Sequence, residues 1–480
     1  MTTTLVIAAL MNVTLWRGET AGYRLNEAVR AEGPVPAGLS VRVGTLKEAK
    51  YEVRPEGRVL GTCYDRIDFG QGSGGEGVKF AEFKAARDMK PGTYEVGDVS
   101  VTVLERTLPE PAKWDYYLDL WQHPWAFARA SNTVPFHYTH YNYMRPIYKM
   151  LARCGLKSIT VTLVDQPWNH QCYDAYGTMV RHIRKADGTW AFDYKVFDRF
   201  VAFAKTQGLG PDIACYTLCP WGLVLRWEDE QGGQHAERAE IGSDLFKDYW
   251  GPFLKDFAKH LKEKGWFQDA IIAMDERSPE QMRIIADFVR ANAPGLRVQL
   301  AGNRPPSDFD GIDIDVYAQY LGDVTPKFLE DAAKRRAQGK KTLFYVCCSP
   351  DRPNTFVDSD PDEAFWLGFA PAPMGLDGFL RWALNSWPAD PSKNVAYGNW
   401  RSGDTFLIYP DGSWSWRFYD LMAGVQAAVK YRELEKDPAR KEDLRKIASH
   451  FDAQAVRNAI AGKTHFPYRR QQIEAVLNAR

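Results

Sequence analysis

The residues best equipped for chemistry sit in "AIIAMDERSP", residues 270–279, where an apolar run ends on two adjacent acids, Asp275 and Glu276. Paired carboxylates cleave glycosidic bonds when one of them protonates the departing oxygen. Successive residues of a strand face opposite ways, however, so two neighbours do not flank one bond as the acids of an ordinary glycosidase do. A plainer alternative is a helix cap, because "DERSPEQM" runs into Pro279 at a helix start. Adjacent acids suit a reaction in which the substrate brings its own nucleophile. When a 2-acetamido group attacks its own anomeric carbon, one carboxylate holds the acetamido N–H and offsets the charge of the oxazolinium-like ring. The other protonates the leaving oxygen and then activates water. If the strand frays at Asp275, Asp275 takes the first task and Glu276 the second. The apolar lead-in "AIIAM" and the charge on Asp275 are both expected to raise the Glu276 carboxyl above the free value of ~4.3.

Something must hold these acids, and the chain supplies eight β-rich runs separated by helix-length segments: "YYLDLWQH", "SITVTLVD", "IACYTL", "AIIAMDE", "LRVQLAGN", "IDVYAQY", "TLFYVCC" and "FLRWALNSW". Helical stretches are expected at Phe197–Lys205, Asp248–Lys264, Pro279–Ala291 and Lys327–Gln338. This alternation predicts an α/β fold, a (β/α)8 barrel over residues 114–395. Before it, residues 1–110 alternate as short strands broken by Gly and Pro, including "MTTTLVIAALMNVTLWRGET" as an opening strand, and predict a small β-sandwich. "LPEPAKW", 108–114, is the linker. Residues 396–480 predict a hairpin from "TFLIYP" and "DGSWSW", a helix near Arg417–Leu434, and a charged helical tail. The insert "PWGLVLRWEDEQGGQHAERAEIGSD" between strands three and four predicts an active-site loop.

Barrel enzymes work at the C-terminal ends of their strands. Those ends offer Trp121 and His123, Asp165, Tyr216, the Asp275–Glu276 pair, Asn303, Tyr317 to Tyr320, and Asn385 with Trp387. Alternation on the sixth strand favours Tyr317 and Gln319 as inward, with Tyr320 reachable where the strand ends; on the eighth it favours Arg381, Asn385 and Trp387. Trp382 either walls a sugar pocket or packs under a helix, and His123 either serves the site or is a core histidine. The seventh strand ends "YVCCSP" without an acid, so the common pairing of an acid after strand four with a nucleophile after strand seven fails. An inverting glycosidase with Glu276 as acid and Asp165 or Asp315 as base stays open, as does a non-catalytic carbohydrate-binding barrel.

Lys plus Arg and Asp plus Glu both number 61, which gives no basic surplus for a nucleic acid or an anionic membrane. Sixteen Trp and 23 Tyr supply the flat faces that sugars stack on. No run approaches the roughly 18 apolar residues of a membrane span. Seven Cys show no disulfide or zinc spacing, and nine His, "HYTH" at 137–140 among them, lack a metal motif. "GQGSGGEG" at 70–77 lacks the lysine of a phosphate loop and predicts a flexible hairpin. Neither metal nor cofactor is expected, no signal peptide is evident, and compartment and oligomeric state stay open.

The block "FYVCCSPDRPNTFVDSDPDEAFWLGFAPAPMGLDGFLRWALNSWPADP", 344–391, together with "GDTFLIYPDG", "AMDE" and "PGTYEVGDVSVTVLERTLP", resembles glycoside hydrolase family 123 over nearly the whole chain. The resemblance implies a retaining, substrate-assisted β-N-acetylgalactosaminidase that acts on a terminal sugar of a glycan or glycolipid. Asp275 would then orient the acetamido group and Glu276 would be the acid/base. The helix "WSWRFYDLMAGVQAAVKYREL" keeps Arg417 and Gly424 but lacks the Arg-Asp-Gly and Asp-Tyr signature usual in such relatives.

Overall fold

The computed structural model describes residues 11–53, 58–70, 77–462 and 469–479. Its centre is an eight-stranded sheet of Tyr117–Leu120, Ser158–Thr162, Asp212–Tyr216, Ala270–Asp275, Arg297–Gly302, Val316–Tyr320, Lys341–Val346 and Gly378–Arg381, here numbered strands one to eight. All paired neighbours are parallel, and they coincide with the eight runs expected from sequence. Strands two to eight are neighbours in chain order and the eighth pairs with the first, so the ring is continuous except between one and two.

At that seam the backbone makes one bridge, Leu118 to Leu156. Gln122 supplies the other links. Its Nε2 donates to Leu120 O and, at 3.3 Å, to Ser158 O; its Oε1 accepts from Thr160 N at 3.0 Å; and its own N–H donates to Thr160 Oγ1 at 3.1 Å. One side-chain amide thus offers the donor and the acceptor that a neighbouring strand would present, and strand two keeps its buried backbone groups satisfied.

The strands read as nearly continuous apolar runs because both faces are covered. Small aliphatics such as Ala214, Ala273, Ala301, Val316 and Ala318 fill the interior, where eight strands leave little room. Ile213, Ile272, Met274, Leu300, Phe344 and Phe379 pack outward under the helices. Helices follow strand one (Pro124–Ala130, Tyr138–Arg153), two (Lys195–Thr206), three (Asp244–Lys264), four (Pro279–Asn292), six (Pro326–Ala337), seven (Pro361–Phe369) and eight (Trp416–Leu434). After strand five there is only the 3-10 turn Pro306–Phe309, so the repeat is incomplete there. The insert after strand three is a hairpin, Val224–Asp229 with Gln234–Arg238. It joins a second, unanticipated hairpin, Arg181–Arg184 with Trp190–Asp193, in a four-stranded sheet.

Ahead of the barrel lie two small sheets, Met11–Arg17, Val99–Thr107 and Gly92–Val96 in one, and Thr20–Arg24, Lys79–Ala85, Leu39–Val53 and Arg58–Asp68 in the other. Val13, Leu15, Val101 and Val103 of the first share one apolar cluster with Ala21, Leu39, Ala81 and Phe83 of the second. "LSVRVGTL" and the described part of "KYEVRP", up to Val53, belong to one long strand, and Arg54 and Pro55 lie outside the described residues. The first ten residues of the expected opening strand, and most of the Gly-rich stretch at 70–77, lie outside the described residues. The hairpin expected at "TFLIYP" and "DGSWSW" reduces to a bridge from Ile408 to Trp414 around a tight turn in which Tyr409 N donates to Ser413 O at 2.8 Å. Helices Lys441–Ala448, Ala453–Ile460 and Arg470–Leu477 end the chain. Among the described residues no helix is long and apolar enough to cross a membrane.

Two residues noted in the sequence of the long helix have packing roles. A Cβ on Gly424 would fall 2.0 Å from Phe365 O, so this glycine lets helices Pro361–Phe369 and Trp416–Leu434 meet backbone to backbone. Arg417 reaches the small sheets, where Nε and Nη2 donate to the two Asp65 oxygens at 2.7 and 3.0 Å, and Tyr409 Oη also donates to Asp65 at 2.7 Å. Both ionic partners are buried. Asp65→Ala leaves the guanidinium buried without its counter-charge, and a loss of about 3–5 kcal/mol is expected in denaturant unfolding. Replacing the exposed Asp351 by Ala is the control, with no measurable change expected.

Candidate active site

Asp275 is the last residue of strand four, in alternation with the interior residues Ile271 and Ala273. Glu276 then takes φ 48°, the left-handed region that costs a non-glycine residue about 1 kcal/mol or more. This conformation resolves the problem of neighbouring acids. The strand ladder ends as Glu276 N donates to Ala301 O at 2.7 Å, and the Glu276 carboxylate turns to the side Asp275 faces, where Tyr345 Oη donates to Oε1 at 2.8 Å. Tyr345 stands on strand seven, in the barrel interior. Neither acid caps the following helix. Ser278 does so in a capping box, its Oγ accepting from Gln281 N at 3.3 Å while its own N donates to the Gln281 side chain at 3.1 Å.

Trp221 Nε1, from the loop after strand three, donates to Asp275 Oδ2 at 3.0 Å. Arg277 steadies that loop: Nη2 donates to Cys219 O at 3.0 Å, and the guanidinium lies 5.7 Å from the Trp221 ring. Burial first, and then the charge of Glu276, push the Asp275 carboxyl up to about 7, against the opposing pull of the Trp221 N–H. Burial and the Glu276 charge likewise hold the Tyr345 hydroxyl far above its ordinary range, so it remains a donor.

Aromatic rings pack in the barrel interior near the pair. Trp121 stacks on Trp168 with centroids 4.9 Å apart, and both meet Tyr216, whose buried hydroxyl has no partner among the described residues. Tyr320 donates to Ser349 Oγ at 2.7 Å and lies 5.8 Å from the Tyr345 ring. Trp382 packs at the same interior cluster, 5.3 Å from Trp400, with Nε1 donating to Asp404 Oδ1 at 3.1 Å.

Of the residues expected at the site, Trp121, Tyr320 and Trp382 lie at the interior cluster that holds Tyr345, the partner of Glu276. Five others do not. Tyr317 faces the helix layer, packing on Phe309 and donating to Arg304 O, and Gln319 alternates with it on that outer side, fully buried with neither amide atom partnered among the described residues. The expected alternation is inverted: Val316 and Ala318 line the interior, and the residues between them face the helix layer. Strand eight inverts likewise: Leu380 and Trp382 face in, whereas Arg381 faces out to Asp404, Thr355 Oγ1 and Val346 O. Asn385 ties backbone to backbone, its Oδ1 accepting from His123 N at 2.8 Å and its Nδ2 donating to His123 O at 3.0 Å. Trp387 is a core residue, edge-on to Phe127 and donating to Ile408 O at 2.6 Å. His123 caps helix Pro124–Ala130 through Nδ1 and donates from Nε2 to Asp174 O at 3.0 Å; burial lowers it to about 3, so it stays neutral. It is the core histidine of the two alternatives. Asp315 precedes strand six at the end away from the cleft, and Asp165 Oδ1 accepts from Thr178 N at 2.7 Å.

Tyr345, Trp221 and Arg277 were not anticipated. Strand seven ends without an acid but carries Tyr345 at an inward position two residues before Cys347. Tyr345→Phe removes a hydrogen bond to a carboxylate, so a rate lower by about 10- to 100-fold is expected with unchanged unfolding; steady-state kinetics beside thermal melting checks it.

The model of the glycoside hydrolase 123 catalytic domain matches residues 121–434. Among solved structures, a family 123 glycoside hydrolase from Clostridium perfringens, described in terms of glycolipid glycan hydrolysis, superposes with a TM-score of 0.81 at 24% identity, covering 97% of this chain and 92% of that one. An N-acetyl-β-hexosaminidase of Streptomyces plicatus matches loosely, with a TM-score of 0.34 and 12% identity over 80% of this chain and 84% of its own. No curated protein matches. Since the family model runs from the residue after strand one to the last residue of the helix after strand eight, with the acid pair inside it, the chain belongs to glycoside hydrolase family 123 and is a glycosidase by family.

Proposed function

We propose that the protein removes a terminal β-linked N-acetylgalactosamine, or another N-acetylhexosamine, from a glycan with retention of configuration, the substrate's 2-acetamido group acting as nucleophile. The observation that carries this is the left-handed turn at Glu276, which sends two adjacent carboxylates into one cleft, opposite a seventh strand that presents Tyr345 and Cys347 there rather than an acid. Asp404, the acid nearest to Trp382, is spent on Arg381.

In this mechanism Asp275 accepts the acetamido N–H and balances the oxazolinium charge, and Glu276 delivers a proton to the glycosidic oxygen. Burial and the charge of Glu276 hold the Asp275 carboxyl up. An amide N–H donated to Asp275 favours its ionised form, and the charge so created beside Glu276 favours a proton there, so substrate binding itself sets the acid. The half-buried Tyr320 and Trp382 offer ring faces to the sugar, backed by the buried Trp121 and Trp168. Glycolipid glycans, named for the Clostridium protein, are the substrate class we carry over. In the same scheme the two small sheets form a sandwich ahead of a barrel that runs from about residue 114 through Leu434, later than the 395 expected from sequence.

The test is turnover of p-nitrophenyl β-N-acetylgalactosaminide and β-N-acetylglucosaminide, with and without a thiazoline mimic of the oxazoline. Turnover of at least one, blocked by the thiazoline, is expected. Silence on both sugars, or turnover that ignores the thiazoline, overturns the proposal.

A further inference from the structure

At the rim of the cleft, where strand seven ends, two cysteines follow one another, and the chemistry proposed above uses neither thiol. The Sγ atoms of Cys347 and Cys348 are 4.0 Å apart. Cys348 is exposed and Cys347 half-buried. Cys154, Cys172, Cys215 and Cys219 are buried, and the half-buried Cys63 donates to Ala49 O. Reagents in solution therefore meet the adjacent pair first.

The pair is joined to the catalytic groups on both sides. Two residues before Cys347, Tyr345 holds Glu276; two residues after it, Ser349 accepts from Tyr320 Oη at 2.7 Å and, through its carbonyl, from Cys347 N at 3.0 Å. Asn354 Nδ2 donates to Cys347 O at 3.0 Å and to Pro350 O at 2.7 Å, which fixes the loop just where the sulfurs diverge. The Cys347 side chain packs with the interior cluster that contains Tyr345.

We propose that Cys347 and Cys348 are a vicinal dithiol and a redox modification site, at which oxidation by a small disulfide closes an internal disulfide and shuts down the adjoining active site. The balance is simple. The Cys348 thiolate attacks one sulfur of the reagent and expels one thiolate; the Cys347 thiol, losing its proton, attacks the mixed disulfide at Cys348 and expels the second. Two protein thiols become one disulfide, and one reagent disulfide becomes two thiols. Attack falls to Cys348 because it is exposed and because the neighbouring thiol draws it down to about 7, leaving much of it as thiolate near neutrality. Bonded sulfurs stand about 2.05 Å apart, so the pair must close by roughly 2 Å. That movement draws Cys347 away from Ser349 and turns the peptide linking the two cysteines, which disturbs the strand end that aims Tyr345 at Glu276.

The loss of activity rests on the glycosidase function proposed above; the bond itself does not. The full chain is incubated with glutathione disulfide, digested without reduction, and the peptide spanning 341–354 is weighed while activity is followed. The expected result is a peptide lighter by about 2 Da, the two lost hydrogens, with turnover reduced at least about ten-fold and restored by dithiothreitol. Cys348→Ser should match the untreated wild type and be indifferent to the reagent. A peptide that stays reduced, one that stops at a glutathione adduct, or an internal disulfide with full activity overturns the proposal. A chain silent on both sugars before treatment counts against the proposed function, and the peptide mass then judges the disulfide by itself.

Discussion

Asp275→Asn is expected to lower kcat on a β-linked N-acetylhexosaminide by about 10²- to 10⁴-fold, because the amide keeps the shape of the carboxylate but not the charge that balances the oxazolinium ring. Its oxygen still accepts from Trp221 Nε1, so the loop after strand three keeps its anchor. Stability should move the other way, and the direction depends on pH. The folded carboxyl sits near 7, above its ordinary 3.8. Its stabilising contribution is therefore complete below about pH 4 and is lost as the pH rises through 7, where an ionised group is held beside Glu276 in a cleft. Three pH units correspond to about 4 kcal/mol as an upper bound, and solvent in the cleft reduces it. The Asn variant escapes this cost, so its melting temperature should exceed that of the wild type at pH 8 and lose most of that advantage at pH 5. An advantage of equal size at both pH values would place the raised titration elsewhere. Full activity in the variant would remove the acetamido role.

Glu276→Gln is the second large effect, and it should depend on the leaving group. A proton matters most when the departing alcohol is a poor leaving group, as a sugar hydroxyl is, and least when it is p-nitrophenol. A loss of about 10³-fold or more is expected on a natural glycoside, with a distinctly smaller loss in the first step on the aryl glycoside, read by pre-steady-state release of nitrophenol. Equal losses on both substrates would mean that Glu276 is not the acid. Glutamine retains an acceptor for Tyr345 Oη and adopts the same backbone region no more readily than glutamate, so the fold should be little affected.

How far the sequence led can be followed residue by residue. The eight strands were legible because parallel strands covered on both faces condense into short apolar runs. That same property hid their orientation: with apolar residues on both sides, alternation says little about which face is inside, and the assignments of Tyr317, Gln319 and Arg381 were reversed. Asp275 and Glu276 stood out as chemistry, but nothing in a glutamate announces a left-handed backbone, so the turn that aligns the two acids was out of reach. The partnership of Tyr345 with Glu276 spans 69 residues and exists only once the barrel brings strands four and seven to one cleft. His123 and Asn385 looked like site residues for a sound reason, since polar groups at strand ends often are, yet each is consumed in holding the loops behind the aromatic wall.

The amide of Gln122 has a consequence for how the wall of the cleft moves. A ladder of backbone bonds resists parting because each rung is reinforced by the next, whereas the seam between strands one and two rests on a single backbone bridge and on Gln122. Breathing of the cylinder is therefore expected along that line, next in sequence to Trp121. The amides of strands three to eight, enclosed by partners on both sides, should be the last to exchange with solvent, and that of Thr160 among the first within the sheet. Trp121 is thereby mounted beside the most yielding line of the barrel, whereas Asp275 and Glu276 end a strand held by neighbours on both sides.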